Sequence, residues 1–71
     1  MKFQYDPEVD AAYLQLVEHI ADGDVDHSVE GRLHESDVAL DYRADGTLIG
    51  IEILEASKVF TREVLNGSLE A

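Results

Sequence analysis

Residues 38–43 and 48–54 alternate between two sets of positions with a period of two, on either side of Asp45-Gly46. That period is a strand's, and Asp-Gly between two such runs predicts a hairpin closed by a type I′ turn, in which both central residues need φ > 0. Turning the chain there sets Ala44 opposite Thr47, Tyr42 opposite Ile49, Leu40 opposite Ile51 and Val38 opposite Ile53. One face of the hairpin is then wholly apolar. The other mixes Arg43, Asp41 and Glu52 with Ala39, Leu48, Gly50 and Leu54, and a one-residue slip would bury its charges.

Lys2 to Tyr5 alternates as an edge strand does, and Asp6-Pro7-Glu8 predicts a turn or a helix start. The next segment satisfies two patterns. Val9, Ala12, Tyr13, Leu16, Val17 and Ile20 recur at helical spacing, with Asp6 and Pro7 able to serve as cap and first residue. Ala12, Leu14 and Leu16 also alternate as a strand returning on Lys2–Tyr5 would; helix fits more positions, and both readings stand. Val25, His27 and Val29 alternate with Asp26, Ser28 and Glu30, which predicts a short strand between loops. After the hairpin, Ser57 is placed to cap a helix in which Ala56, Val59, Phe60 and Val64 share a face, with Asn66-Gly67 ending it and Lys58 opposing the dipole in its first turn.

The chain has 71 residues, which read as a single domain over 1–71, near the lower limit for one hydrophobic core. Self-association would add stability, and the mixed second face leaves Ala39, Leu48 and Leu54 around Gly50 to be covered, so a homodimer or higher oligomer is expected. There is no cysteine, hence no disulfide and no thiol chemistry. The first residues lack the apolar stretch of a signal peptide and no run is long enough to span a membrane, so the expected location is the cytoplasm.

Charge narrows the partners further. The net charge is −11, and the residues from 56 onward sum to zero, so all of it lies in residues 1–55. Such a surface repels phosphate backbones and anionic lipid, and neither direct nucleic-acid binding nor membrane binding is expected. A basic protein is the expected partner.

Tyr5-Asp6-Pro7-Glu8, Asp10-Ala11, Tyr13-Leu14 and Leu16, then Asp41-Tyr42, Asp45-Gly46, Gly50-Ile51-Glu52-Ile53-Leu54 and Ala56-Ser57, resemble the YuzE-like family of small bacterial and archaeal proteins, domain-of-unknown-function family 2283. The likeness is specific at both ends and loose between them, where Gly31 to Ser36 departs from the shorter, plainer stretch of the family. It implies a compact, mostly antiparallel sheet with a short helix after the Ile-Glu-Ile-Leu strand, and it tips Ala11–Val17 toward strand. It brings no catalytic residues. Relatives that accompany small toxin-like proteins make an antitoxin-like, partner-binding role the function it implies.

Residue constellations that carry chemistry are weak here. Asp41, Arg43, Asp45, Gly46 and Glu52 match an EF-hand calcium loop except at its third position, where Arg stands in place of an oxygen ligand. Asp22, Asp24 and Asp26 repeat the pattern, but His27 replaces the turn glycine and Leu33 the bidentate glutamate. A solvated acidic loop whose like charges avoid one another explains them better than a metal site does. His19, His27 and His34 lie eight and seven residues apart, a spacing that suits neither helix nor strand ligation. The glycines are scattered, and Gly50, facing Asp41 across the hairpin, implies close approach of a neighbouring group. No catalytic, cofactor or metal residue is assigned.

The expected fold is therefore α+β: a meander-like antiparallel sheet of about four to five strands in chain order, with a short C-terminal helix packed on one face. The expected function is non-enzymatic protein binding through an acidic surface. The alternative is a small metal-dependent or acid-base enzyme assembled from His27, His34 and nearby acids at an oligomer interface.

Overall fold

The structure is a computed structural model that describes residues 1–70, with Leu69 and Glu70 described in backbone alone. The strands are β1 (Lys2–Asp6), β2 (Ala11–Gln15), β3 (His27–Leu33), β4 (Ser36–Tyr42), β5 (Leu48–Leu54) and β6 (Leu69–Glu70), with a 3₁₀ turn at Ala56–Lys58 and helix α1 at Arg62–Asn66. β5, the most continuously apolar of them, lies inside the sheet, and β3, the most polar, lies at its edge. The order is β3-β4-β5-β2-β1-β6. β1 to β5 pair antiparallel, and the two-residue β6 runs parallel to β1. The α+β class, the antiparallel sheet and the short C-terminal helix on one face are as expected. The order departs from that of the chain because the loop over residues 16–26 carries the chain past two strand positions to the far edge, leaving β2 free to pair with β5.

The central hairpin keeps its expected register along most of its length, with Val38 opposite Ile53, Leu40 opposite Ile51 and Asp41 opposite Gly50. The turn differs. Of Asp45 and Gly46, only Gly46 has positive φ, at 88°. The Gly46 N–H donates to Arg43 O and the Arg43 N–H to Thr47 O, both at 2.9 Å, so the loop holds three residues instead of two and Ala44 does not pair with Thr47. A left-handed conformation at Asp45 would cost roughly 1–2 kcal/mol; its carboxylate instead accepts from the Thr47 N–H at 3.0 Å and hydroxyl at 2.7 Å. Tyr42 consequently pairs with Leu48, and Ile49 is an extra, fully buried residue that restores the register from Gly50 onward.

The segment after Pro7 is strand, not helix. Asp6 Oδ1 accepts from the Glu8 N–H at 3.0 Å, and Asp10 at φ 54° turns the chain back so that Ala11 pairs with Asp6. β2 then gains ladders on both sides, to β1 and β5, which outweighs the helical spacing. Val9, the first residue of that spacing, is left 68% exposed.

β3 also exceeds the expected short strand, running through Gly31 to Leu33 before a two-residue turn at His34 and Glu35. The C-terminal helix is interrupted. Ser57 caps nothing; the cap is Thr61, whose hydroxyl accepts from the Val64 N–H at 3.3 Å. Lys58 ends the 3₁₀ turn and pairs with Glu55 at 2.6 Å, and Leu65 packs on the core while Val64 faces solvent.

Ala12, Val38, Ile53 and Ala56 form the buried centre, with Phe3, Tyr5, Leu40, Ile51, Val59, Phe60 and Leu65 packed around it. The segment from Ala56 to Leu65 thus covers one face of the sheet, with Phe60 set edge-on to Phe3 at 5.2 Å between ring centroids. Among the described residues no helix is long and apolar enough to cross a membrane. Replacing Ile53, which is 2% exposed, with Ala is expected to lower unfolding free energy by about 2–5 kcal/mol. Val64→Ala should stay within about 0.5 kcal/mol, both measured by urea denaturation.

Candidate functional site

The sheet's second face is set by strand alternation. β1 places Lys2, Gln4 and Asp6 there, β2 Ala11, Tyr13 and Gln15, β5 Gly50, Glu52 and Leu54, β4 Asp37, Ala39 and Asp41, and β3 Ser28, Glu30 and Arg32. All of these except Gly50 are at least partly exposed. Five carboxylates stand against two cations, and one of the cations, Arg32, is already paired with Asp37 at 2.8 Å.

A polar seam crosses this face. The Tyr13 hydroxyl on β2 donates to Asp41 Oδ2 on β4 at 2.9 Å, and the Ser28 hydroxyl on β3 donates to Asp41 Oδ1 at 2.6 Å. To reach β4, the Tyr13 ring lies over β5 where Gly50 has no side chain; a Cβ there would overlap the phenol hydroxyl. This is the close neighbour that Gly50 implied. Burial first, then the bond to Asp41 and the charges of Asp41 and Glu52, push the Tyr13 hydroxyl up to about 12. Tyr13 therefore holds its proton at neutral pH, and both Asp41 oxygens are occupied by hydroxyls. The phenol positions groups and exchanges no proton near neutrality.

Beside it, Gln4, Asp6, Val9, Ala11, Tyr13 and Glu52 line a shallow depression of about 170 Å³. Its floor is apolar and aromatic and its rim carries two carboxylates. A wider groove of about 390 Å³ opens on the covered side between Tyr5, Ser57, Phe60, Arg62, Leu65 and Asn66.

That groove borders a second hydrogen-bonded group. Asp10 Oδ1 accepts from the Tyr5 hydroxyl at 2.7 Å and the Ser57 N–H at 3.0 Å, Oδ2 accepts from the Ser57 hydroxyl at 2.6 Å, and the Asp10 carbonyl accepts from the Ala56 N–H at 2.9 Å. The Ser57 hydroxyl, then Tyr5, then the Ser57 N–H and Lys58 hold the Asp10 carboxyl below the usual value, against the opposing effect of burial.

The structure disperses the residues weighed for metal or acid-base chemistry. Asp24 closes a local turn by accepting from the Ala21 N–H at 2.9 Å, and Asp26 pairs with His27 at 3.0 Å. The His27 ring stacks on Tyr42 at 5.3 Å. His34 lies in the turn at the other end of β3, roughly 20 Å away along an extended strand, so one chain does not bring the two histidines together. Asp41, Asp45 and Glu52 sit on strands or in the hairpin turn. Among the described residues no three His, Cys, Asp or Glu side chains are grouped to hold a metal ion.

Tyr5, Asp10 and Ser57 of one bonded group, and Tyr13 and Asp41 of the other with the Gly50 that makes room for the ring, are among the residues that carried the family resemblance, whereas Ser28, the second donor to Asp41, is not. The family model described as a protein of unknown function, DUF2283, matches residues 2–57, from the start of β1 to the serine that binds Asp10. The chain belongs to that family. Comparisons of this DUF2283 chain with curated proteins and with solved structures gave no match. Local sequence patterns do not single out Tyr13 or Asp10, since Asp41 lies 28 residues from the first and Ser57 lies 47 from the second, although Tyr5, the other partner of Asp10, is five residues away.

Two outcomes follow. Asp10→Asn tolerates the left-handed backbone but removes the charge, and should cost about 1–2 kcal/mol at neutral pH, less than a fully buried charged bond. Because the native carboxyl titrates below its unfolded value of 3.8, that stabilisation is complete above this pH and lost as pH falls through the lowered value, so wild type and variant should converge in acid denaturation. For Tyr13 the sign reverses: its contribution is complete below pH 10.0 and lost as pH rises through about 12. Spectrophotometric titration should show a phenolate step near pH 12 that is absent in Tyr13→Phe and moves down in Gly50→Ala, where the ring is displaced from Asp41.

Proposed function

We propose that this DUF2283 protein is a non-enzymatic binding module whose uncovered sheet face docks a basic protein, in the manner of an antitoxin-like neutraliser. The observation that carries the reading is the depression between Asp6, Val9, Ala11, Tyr13 and Glu52. An apolar floor accepts the methylene stem of a lysine or arginine, an aromatic ring faces its cation, and the rim carboxylates pair with its head. Around this point Val9 and Leu54 are exposed, 68% and 44%, and Asp37, Asp41 and Glu30 extend the negative field across the sheet. Apolar centre and charged rim are the ordinary anatomy of a docking surface. The field of residues 1–55 would steer a cationic partner and speed encounter.

The test uses the full chain, labelled with nitrogen-15, titrated with a lysine- and arginine-rich peptide and with a neutral peptide of the same length. Amide shifts should concentrate on β1, β2 and β5 around Tyr13 with the basic peptide alone. Affinity should fall as salt rises, and Asp6→Asn with Glu52→Gln should weaken it by about tenfold, since each rim-exposed pair contributes up to about 1 kcal/mol. Shifts scattered over the whole surface, or an affinity indifferent to both substitutions, would remove the depression as the docking point.

A further inference from the structure

The two edges of the sheet are treated differently. β1 is covered by β6, with Gln4 opposite Leu69 and Tyr5 opposite Glu70. β3 is covered by nothing among the described residues, although it is seven residues long, contains neither proline nor lysine, and pairs with β4 without a bulge. A cover, brevity, proline, lysine and a bulge each ordinarily blunt an edge, and β3 has none of these; the charges it does carry, Glu30 and Arg32, are of opposite sign. Its outward N–H and C=O groups form a template for another strand.

We propose that the occupant is β3 of a second copy of this chain, paired antiparallel about a twofold axis at Gly31. The sequence around that residue, Ser28-Val29-Glu30-Gly31-Arg32-Leu33-His34, is complementary to itself when reversed. Pairing about Gly31 sets Glu30 opposite Arg32 of the second copy and Arg32 opposite its Glu30, on the polar face. It sets Val29 opposite Leu33 and Leu33 opposite Val29 on the other face, where both are open to solvent in one chain, at 45% and 41% exposure. Glu30 has no ionic partner among the described residues, and Arg32 already holds Asp37, so the pairing completes a line Asp37–Arg32–Glu30 across the junction.

Alternative registers fare worse. Opposed residues share a face, so an axis between two residues would continue the apolar face of one copy into the polar face of the other. An axis at Glu30 or at Arg32 stacks like charges on each other, and one at Val29 places no opposite charges within the strand. The axis at Gly31 alone satisfies charge and face together, and it joins two sheets into one continuous sheet.

The test is the association state of the full chain by sedimentation equilibrium, with charge reversals on exposed positions. Wild type should be a dimer. Glu30→Arg and Arg32→Glu, made separately, should each raise the dissociation constant by about tenfold or more, because two attractive pairs become two repulsive ones. An equimolar mixture of the two variants should recover the dimer, because the first variant then presents two cations at positions 30 and 32 to the two carboxylates that the second carries at the same positions. Hydrogen exchange supplies a second readout: the amides of β3 that do not face β4 should slow with rising protein concentration. A wild type that stays monomeric at sub-millimolar concentration, variants as dimeric as wild type, or a mixture that fails to reassociate would each overturn the pairing. Dimerisation that survives both reversals would instead place the contact on the face around Ala11, Ala39 and Leu54, since the shifted register sets Leu48 opposite Tyr42 and off that face.

Discussion

The carboxylate of Asp10 is the tie on which the covered face depends. Among the described residues the segment from Ala56 to Leu65 alone shields the apolar side of this sheet of short strands, and a 3₁₀ turn followed by a five-residue helix is too short to hold itself in place by helical hydrogen bonds. Asp10 anchors the start of that segment through the Ser57 N–H and hydroxyl and through its own carbonyl, which receives the Ala56 N–H. From there Ala56 is fully buried, Val59, Phe60 and Leu65 pack on the same buried centre as Phe3, Tyr5 and Ile51, and Phe60 meets Phe3 edge-on. Ser36, also fully buried, secures the same corner by donating to Glu55 O at 3.2 Å. Two left-handed residues, Asp10 at φ 54° and Glu55 at φ 50°, give the chain the corners this requires. Such conformations cost of order 1 kcal/mol or more each and persist because the bonds around them are satisfied together.

What was legible in the sequence was local pairing. The alternation flanking Asp45-Gly46 gave the faces and most of the register of β4 and β5, and the error at the turn stayed local because the extra residue in the loop is offset by the extra residue at Ile49. Segment 9–20 was not legible by period alone, since Ala12 and Tyr13 serve equally as neighbours on a helix and as opposite faces of a strand. Ladders to both β1 and β5 decided it, and β5 is some 40 residues distant in the pairing register. Ser57 read as a helix cap because its hydroxyl suits that role; it found a carboxylate across the fold instead. The candidate face shows the same limit. Its charge was visible from composition, whereas the seam and the depression exist only because β2 lies next to β5.

Economy of chain explains the open surfaces as well. With the covering segment spent on one side, the opposite side has to be tolerable in water, and strand alternation supplies that with Glu30, Asp37, Asp41 and Glu52. Apolar residues remain between them, Ala11, Ala39 and Leu54 in particular. Such a face mixes hydrated charges with small apolar islands.

The contact between Tyr13 and Gly50 has a consequence for how sequences of this fold can vary. The aromatic ring occupies the volume that a side chain at position 50 would need, so the two positions form a single steric unit although they lie 37 residues apart and on different strands. A side chain at 50 requires the ring at 13 to move aside or give way to a smaller residue, and either change would release Asp41 from one of its two hydroxyl donors. Asp41 would then keep the Ser28 hydroxyl alone. Drift at any of the three positions is thus constrained by the other two: related chains should keep the set whole or replace it together, and a chain found with only one of them changed should bear a compensating donor near Asp41.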